Sequence, residues 1–218
     1  MLTLESKFAD YFATLKAAGA CEEVMSFHDK MLAEKPDLTV GDVYKVFYAD
    51  PKFEDGWCAW ALKLIGKDLG EDVRAIIIDK IKSPMVCLKL AYRCPFLSAA
   101  EIALLKAKYE GQGEEIAKAV ICLDAIVKSR EFNAVRVEAV TTCKSVTEAK
   151  SLIELKTDVV TSVSADSAVK SADEIKKILE AERTKVTLAT NEVMRSQGFV
   201  DGNGNGSVSV FESWLEGV

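Results

Sequence analysis

The spacing of apolar residues predicts helices along most of the chain. In the segment EIALLKAKY, Ile102, Leu105 and Tyr109 fall on one helical face, because residues three and four apart are neighbours on a helix surface. The same spacing continues over 116–127 and again over 175–193. These patterns predict amphipathic helices, each with one face packed against a neighbour.

Start signals for helices support this interpretation. In a capping box, a serine or threonine oxygen accepts the amide three residues later, and an acidic side chain at that position accepts the first amide in return. Such pairs occur at Ser98 with Glu101, Ser145 with Glu148, Ser171 with Glu174 and, in a weaker form, Thr39 with Asp42. They predict helix starts, and Gly198 predicts the end of the last long helix.

Similar helical segments recur about every 30 residues between 40 and 145, and two helices per unit at such a period are typical of an α-solenoid. In this pattern the region resembles HEAT-like or tetratricopeptide-like repeats, although it lacks the consensus residues of either family. An irregular helical bundle is the alternative. Either architecture predicts an all-α fold of packed helical hairpins.

The segment KTDVVTSVSADSAVK, residues 156–170, interrupts the helical pattern. It is rich in Ser, Thr and Val, and β-branched residues lose rotamer freedom in helices. The sequence therefore predicts a division into a helical-repeat or bundle body, 1–155, and a C-terminal unit, 156–218.

Composition and charge narrow the possible partners and locations. The formal charge of −6 argues against a nucleic-acid partner, which usually requires a basic stripe. The longest apolar runs, such as AVICL, are far shorter than the roughly 18 residues that a membrane span needs. The first residues lack a basic segment followed by an apolar one. We therefore expect no nucleic-acid or membrane partner, and a location in the cytoplasm or in a particle assembled there.

The six cysteines are scattered, and none pairs at the spacing of a zinc knuckle or a redox motif. They are expected to be free, buried and inert. The single histidine, His28, lies seven residues after Cys21, so a catalytic pair on one helix face is conceivable. A helix-surface histidine without a role is the more common situation. No nucleotide-binding, zinc-protease or serine-hydrolase motif occurs, so we expect a non-enzyme.

One short stretch carries specific chemistry. The twelve residues DGNGNGSVSVFE run from Asp201 to Glu212 and match D-x-[DN]-x-[DN]-G-x5-E at every specified position. They resemble an EF-hand calcium loop. Because Gly198 is expected to end the preceding helix, the loop is closer to those of dockerin modules, which lack a full entering helix. An Asn-Gly hairpin with SVSVF as a strand, and a glycine-rich tail, are the alternatives.

The resemblance implies a calcium ligand set and a role for one glycine. Calcium is a hard cation that takes six to eight oxygen ligands. By resemblance, the ligands are Asp201, Asn203, Asn205, Ser207, Ser209 and Glu212. Gly206 is expected to permit the sharp turn. Apolar residues after the loop, including Phe211 and Trp214, argue against a solvated tail.

These observations lead to three functional hypotheses. The first is a non-catalytic structural or adaptor protein, in which calcium rigidifies the C-terminus and an interface with a protein partner or a second copy. A component of a virus or phage particle is one concrete version. The second is a calcium-regulated switch. The third is an enzyme with an unrecognised site that contains His28 or clustered carboxylates.

Overall fold

The computed structural model describes residues 1–47, 55–157, 159, 161 and 172–217. Within these ranges the ordered elements are helices, and the only β pairing consists of isolated bridges. The prediction of an all-α fold of packed helices is confirmed for the described chain. The helices are α1 Phe8–Ala17, α2 Glu22–Glu34, α3 Val40–Asp42, α4 Asp55–Ile65, α5 Glu71–Lys80, α6 Pro84–Arg93, α7 Ala99–Tyr109, α8 Glu114–Thr142, α9 Val146–Lys156, α10 Ala172–Ser196 and α11 Val208–Gly217.

Contacts divide the chain into two compact units, Met1–Gln112 and Gly113–Val218. The first contains α1 to α7, together with a π-helical turn at Val43–Phe47 and a 3-10 turn at Gly66–Asp68. The second contains α8 to α11. The predicted division into 1–155 and 156–218 rests on where the helical sequence pattern is interrupted, not on contacts between residues. It stays a prediction. The choice between a solenoid and an irregular bundle also stays open.

Consecutive helices pack against each other in both units. In the first unit, α1 contacts α2, α4 contacts α5, and α6 contacts α7, while α4 also contacts α6 and α5 contacts α7. In the second unit, α8 contacts α9, α10 and α11. A buried cluster joins α8, α9 and α10 through Phe132, Val135, Ala139, Val146, Ala149, Ile153, Ile175 and Leu179. Burial of such apolar faces is the main stabilising term.

Two capping boxes form completely. At the start of α7, the Glu101 amide donates to the Ser98 hydroxyl at 3.4 Å, and the Ser98 amide donates to the Glu101 carboxylate at 2.7 Å. At the start of α3, Thr39 and Asp42 make the same pair of bonds, so this weaker sequence signal also forms a full box. Each box satisfies two amides that a helix start leaves unpaired.

At the start of α9, only one of the two bonds of the predicted capping box forms. The Ser145 hydroxyl accepts the Glu148 amide at 3.2 Å, whereas the Glu148 carboxylate accepts the amide of Lys144 rather than that of Ser145. The predicted cap at Ser171 lies outside the described residues.

A buried ion pair ties α5 to α7. The Arg74 guanidinium donates to both carboxylate oxygens of Glu101, at 2.6 and 3.2 Å, and also to the carbonyls of Gly66 and Leu69. Arg74 is 6% exposed and Glu101 is 3% exposed. Burial alone would raise the pKa of Glu101, but the bonds from Arg74 and Ser98 outweigh it and hold that pKa below its usual value. The charge pair is therefore buried with its hydrogen bonds satisfied.

A second polar link closes the C-terminal end of α5. The Lys108 ammonium, on α7, donates to the carbonyls of Ile78, Asp79 and Ile81 at 2.7, 2.7 and 2.8 Å. The last carbonyls of a helix lack intrahelical donors and carry partial negative charge, so a cation is favoured there. Together with Arg74, this lysine fixes the position of α7 on α5.

All six cysteines are free, as predicted. The prediction that they are buried is confirmed for Cys58, Cys87, Cys94 and Cys122. It was wrong for Cys21, which is exposed, and Cys143 is only half-buried. Burial raises the pKa of the Cys94 and Cys122 thiols to about 11, so both are protonated and unreactive near neutral pH. Among the described helices, none combines the length and the apolar character needed to cross a membrane.

Replacing Glu101 by Gln should destabilise the protein by about 3–5 kcal/mol, because the Arg74 charge would stay buried without its counter-charge. Gln keeps an oxygen for the Ser98 amide, so the substitution isolates the charge. Glu71→Gln is the matched control, since Glu71 also faces Arg74, at 3.9 Å, but is 72% exposed. It should change stability by less than about 1 kcal/mol. Urea unfolding measures both, and equal effects would contradict the interpretation.

Candidate metal centre

The candidate loop begins where α10 stops. The Phe199 amide donates to the Met194 carbonyl at 2.9 Å, and the Gly198 amide donates to the Arg195 carbonyl at 3.1 Å. With Gly198 at φ +88°, these bonds form the Schellman motif, in which glycine adopts a left-handed conformation after the last helical turn. The predicted helix end at Gly198 is confirmed. Phe199 and Met194, the two positions between which an apolar contact frequently accompanies the motif, are both buried.

Backbone bonds close the base of the loop. The Ser207 amide donates to the Phe199 carbonyl at 2.9 Å, and Val200 pairs with Gly206 in an isolated antiparallel bridge. The chain thus leaves α10, makes a closed turn and returns to begin α11. The segment between Gly198 and Asp201 pairs through this single bridge and does not form a strand.

Asp201 organises the first half of the loop. One of its carboxylate oxygens, Oδ1, accepts the amides of Asn203 at 2.8 Å and Asn205 at 2.9 Å. The Asp201 amide donates in turn to the Asn205 carbonyl at 2.8 Å. The amide of Asn205, followed by that of Asn203, holds the pKa of Asp201 below its ordinary value, because both donors stabilise the anion. Asp201 is therefore ionised at neutral pH and has acceptor capacity beyond these two bonds.

Ser207 begins α11 and connects it to the second half of the loop. Its hydroxyl accepts the Val210 amide at 3.4 Å and lies 2.8 Å from the Ser209 hydroxyl. Its carbonyl accepts the Phe211 amide at 3.2 Å. The hydroxyl therefore satisfies one of the amides that the helix start leaves unpaired. Glu212 follows in the second turn of α11, on its exposed side.

Gly204 and Gly206 have different roles from the one expected, in which Gly206 makes the sharp turn of the loop. The sharp turn occurs at Gly204, which has φ +80°, whereas Gly206 does not have a positive φ. Gly206 is required for another reason, because its backbone lies directly on α10. A Cβ atom at this position would overlap the Asn191 carbonyl and lie 2.7 Å from the Arg195 amide nitrogen. The prediction that Gly206 makes the turn was wrong; close approach of two backbones selects glycine there.

Three aromatic rings anchor the segment after the loop. The Phe199 ring lies 5.1 Å from that of Phe211 and 5.4 Å from that of Trp214. Phe211 and Leu215 are fully buried. Val208–Gly217 is a helix, so the alternative in which SVSVF forms a hairpin strand was wrong. The alternative of a solvated tail fails because the helix has a buried face.

The structure places the six predicted ligands in two groups. Asp201, Asn203 and Asn205 share one turn, and the hydroxyls of Ser207 and Ser209 are bonded to each other ahead of Glu212 on α11. All six offer oxygen atoms, which suits calcium chemically. Over the described residues, no three His, Cys, Asp or Glu side chains cluster as a metal site. The candidate loop has only two carboxylates, so it would not form such a cluster.

The contact between the loop and α10 was not apparent from the sequence. Nothing in DGNGNGSVSVFE marks Asn191 and Arg195 as the residues on which Gly206 rests, because the contact joins positions on separate elements. The signals for the aromatic cluster were present, in the apolar residues that follow the loop.

His28 corrects another prediction. It is fully buried, so the prediction of a helix-surface histidine was wrong. Cys21 is exposed at the residue before α2. His28 therefore lies in the core and Cys21 in solvent, so the two do not form the catalytic pair that their spacing in the sequence allowed.

Comparison of the chain with protein-family models, curated proteins and solved structures found no match.

Gly206→Ala should destabilise the protein by about 1–3 kcal/mol, because the new methyl group must displace the α10 backbone or the loop. Gly202→Ala, in the same loop, is the matched control. Nothing lies within 4 Å of a Cβ at Gly202, and its φ is not positive. We expect Gly202→Ala to be neutral or slightly stabilising. Thermal and urea unfolding followed by circular dichroism measure the difference, and equal stability of the two variants would contradict the close approach.

Proposed function

We propose that the chain is a non-catalytic structural or adaptor protein that binds calcium in the loop from Asp201 to Glu212. The observation that carries the proposal is the match of twelve consecutive residues to the EF-hand loop pattern. In this proposal the ligands are Asp201, Asn203, Asn205, Ser207, Ser209 and Glu212. Calcium would join the turn at Asp201 to the helix that contains Glu212.

The electrostatics of the loop support a cation of moderate affinity. Asp201 is held in its charged form by backbone donors, and Glu212 supplies the second carboxylate. Asn203 and Asn205 offer neutral oxygens. Because calcium affinity rises with the number of ligand charges and the rigidity of the site, two carboxylates favour binding weaker than that of the tightest loops.

The packing around the loop favours a structural clip over a switch. A sensor responds to calcium by exposing an apolar groove between helices. Here Phe211 and Leu215 already bury the apolar face of α11, and Gly206 rests on α10. Calcium would therefore hold an arrangement that the apolar contacts already favour.

The proposed partner is another protein chain, either a second copy or a different protein. Helical-repeat bodies serve chiefly as binding surfaces, and the acidic chain has no basic stripe for nucleic acid. In this proposal calcium rigidifies the C-terminal end and an interface in a larger assembly, of which a virus or phage particle is one concrete form. The enzymatic alternative named His28 as a candidate site residue. His28 is buried, so it is not accessible to a substrate from solvent.

Calcium should raise the melting temperature of the protein, and Glu212→Gln should abolish the rise. At a free concentration about 100 times the dissociation constant, a ligand that binds only the folded state adds about 2.7 kcal/mol. Magnesium should give a smaller shift, because it demands tighter octahedral geometry and gives up its water reluctantly. Thermal unfolding with calcium, with magnesium and with a chelator measures these effects.

Glu216→Gln is the matched control for this experiment. Glu216 lies on the same helix, is exposed, and loses the same charge on substitution. It should keep the full calcium response. An equal loss of response in both variants would indicate a general charge effect, and no calcium response in the unmodified protein would reject the metal site.

The clip and the switch differ in what calcium does to exposed apolar surface. For a clip, we expect saturating calcium to leave helicity and the binding of an apolar fluorescent dye unchanged at a temperature where the protein is fully folded. For a switch, dye binding should rise with calcium. The Glu212→Gln variant provides the baseline, since any calcium-dependent dye signal that it retains does not come from this loop.

A further inference from the structure

The only histidine of the chain lies in a cage of aromatic rings. His28, on α2, is 0% exposed. Its ring centroid lies 5.2 Å from that of Phe8, 6.3 Å from that of Tyr11 and 5.8 Å from that of Phe12, all on α1. Phe27, its neighbour on α2, lies 5.5 Å away. The imidazole thus fills the contact between α1 and α2.

This imidazole has no partner for its polar atoms. Neither ring nitrogen makes a hydrogen bond to any residue in the described part of the chain. The Val24 carbonyl, one turn earlier on α2, lies near the ring and favours its charged form, but it makes no hydrogen bond with either ring nitrogen. A neutral imidazole tolerates such a site at some cost, whereas an imidazolium, which has two N–H donors and a charge, is strongly disfavoured there.

Charged groups on the packed elements do not compensate for a charged ring. Tyr11 uses its hydroxyl in a 2.6 Å bond with Tyr44. The Asp29 carboxylate, on the next residue of α2, attracts a charged ring and so raises the pKa of His28, but the Asp29 side chain is exposed. The other charged groups of the neighbouring elements for which burial is described are exposed, namely Asp10 and Lys16 on α1, Glu22, Glu23, Lys30 and Glu34 on α2, Asp42 and Lys45 near α3, and Lys63 on α4.

We propose that α2 is an acid-sensitive latch, which protonation of His28 releases from its packing on α1. The principal contacts of α2 are with α1, whereas α1 also contacts α4 and is tied to Tyr44 through Tyr11. The helix that can move into water with the charged ring is therefore α2. Release would expose the aromatic side chains of α1 to water in acidic solution.

The direction of the effect follows from burial. Desolvation lowers the pKa of His28 from 6.5 to about 4, and the Val24 carbonyl and the Asp29 carboxylate offset only part of it. Because the released ring binds a proton more readily than the packed ring, packing is fully favoured above pH 6.5 and weakens as the pH falls toward 4. The packing equilibrium should decrease about 20-fold by pH 5 and about 120-fold by pH 4, relative to pH 7.

A direct test uses the fact that the chain has one histidine. Nuclear magnetic resonance of the ring carbon-bound protons follows its titration without assignment of other histidines. We expect the ring to stay neutral well below pH 6.5, and its protonation to coincide with faster amide exchange in α2. A ring that titrates near 6.5 with α2 still protected would overturn the proposal.

A variant separates His28 from the carboxylates that also titrate in acid. His28→Phe keeps an aromatic ring of similar size and removes the titratable group. Between pH 7 and 5 it should lack the roughly 20-fold weakening expected of the unmodified protein, as measured by amide exchange of α2 at matched pH. Exchange in α8 to α10 serves as the internal control. An unchanged acid response in the variant, or faster exchange spread evenly over both units, would overturn the proposal.

If His28→Phe does not fold, the titration of the unmodified protein still decides the question. Cys21→Ser is a further control, because it alters an exposed residue just before the same helix. We expect it to retain the acid response of α2 in full. Loss of that response in Cys21→Ser would overturn the assignment to His28.

Discussion

The close approach of Gly206 to α10 is the contact on which the C-terminal end depends. Without a side chain at this position, the loop backbone can rest on the carbonyl of Asn191 and the amide of Arg195. This contact places α11 so that Phe211 is buried beside Phe199. In the proposed calcium site, a loop held in this way would lose less conformational freedom on binding, and such preorganisation favours binding.

The N-terminal unit buries polar side chains in two opposite situations. Arg74 and Glu101 neutralise each other and have further hydrogen bonds to backbone groups, so their desolvation is offset. His28 has apolar rings around it and no bonded partner among the described residues. The first arrangement holds α5 against α7 while Glu101 is ionised, and the bonds to Glu101 keep its pKa below the usual value. The second is favourable only while the imidazole is neutral, so its stability depends on the proton concentration.

The candidate metal loop already holds much of its shape through its own hydrogen bonds. The Asp201 carboxylate accepts two amides, and Ser207 begins the helix that contains Glu212. In a calcium loop the ion would join these two halves, which the backbone connects only at the base. The proposed role of calcium is therefore to add rigidity between elements that are individually formed, and this agrees with a clip rather than a switch.

The sequence by itself determined the features that depend on near neighbours. Helical faces follow from residues three or four apart, the boxes at Ser98 and Thr39 from residues three apart, and the end of α10 from one glycine. It also supplied the match on which the proposed calcium ligands rest. Only the tertiary structure decided that Gly206 rests on α10 and that His28 lies inside rings from α1. Both depend on contacts between separate elements, whose relative placement a local pattern does not specify.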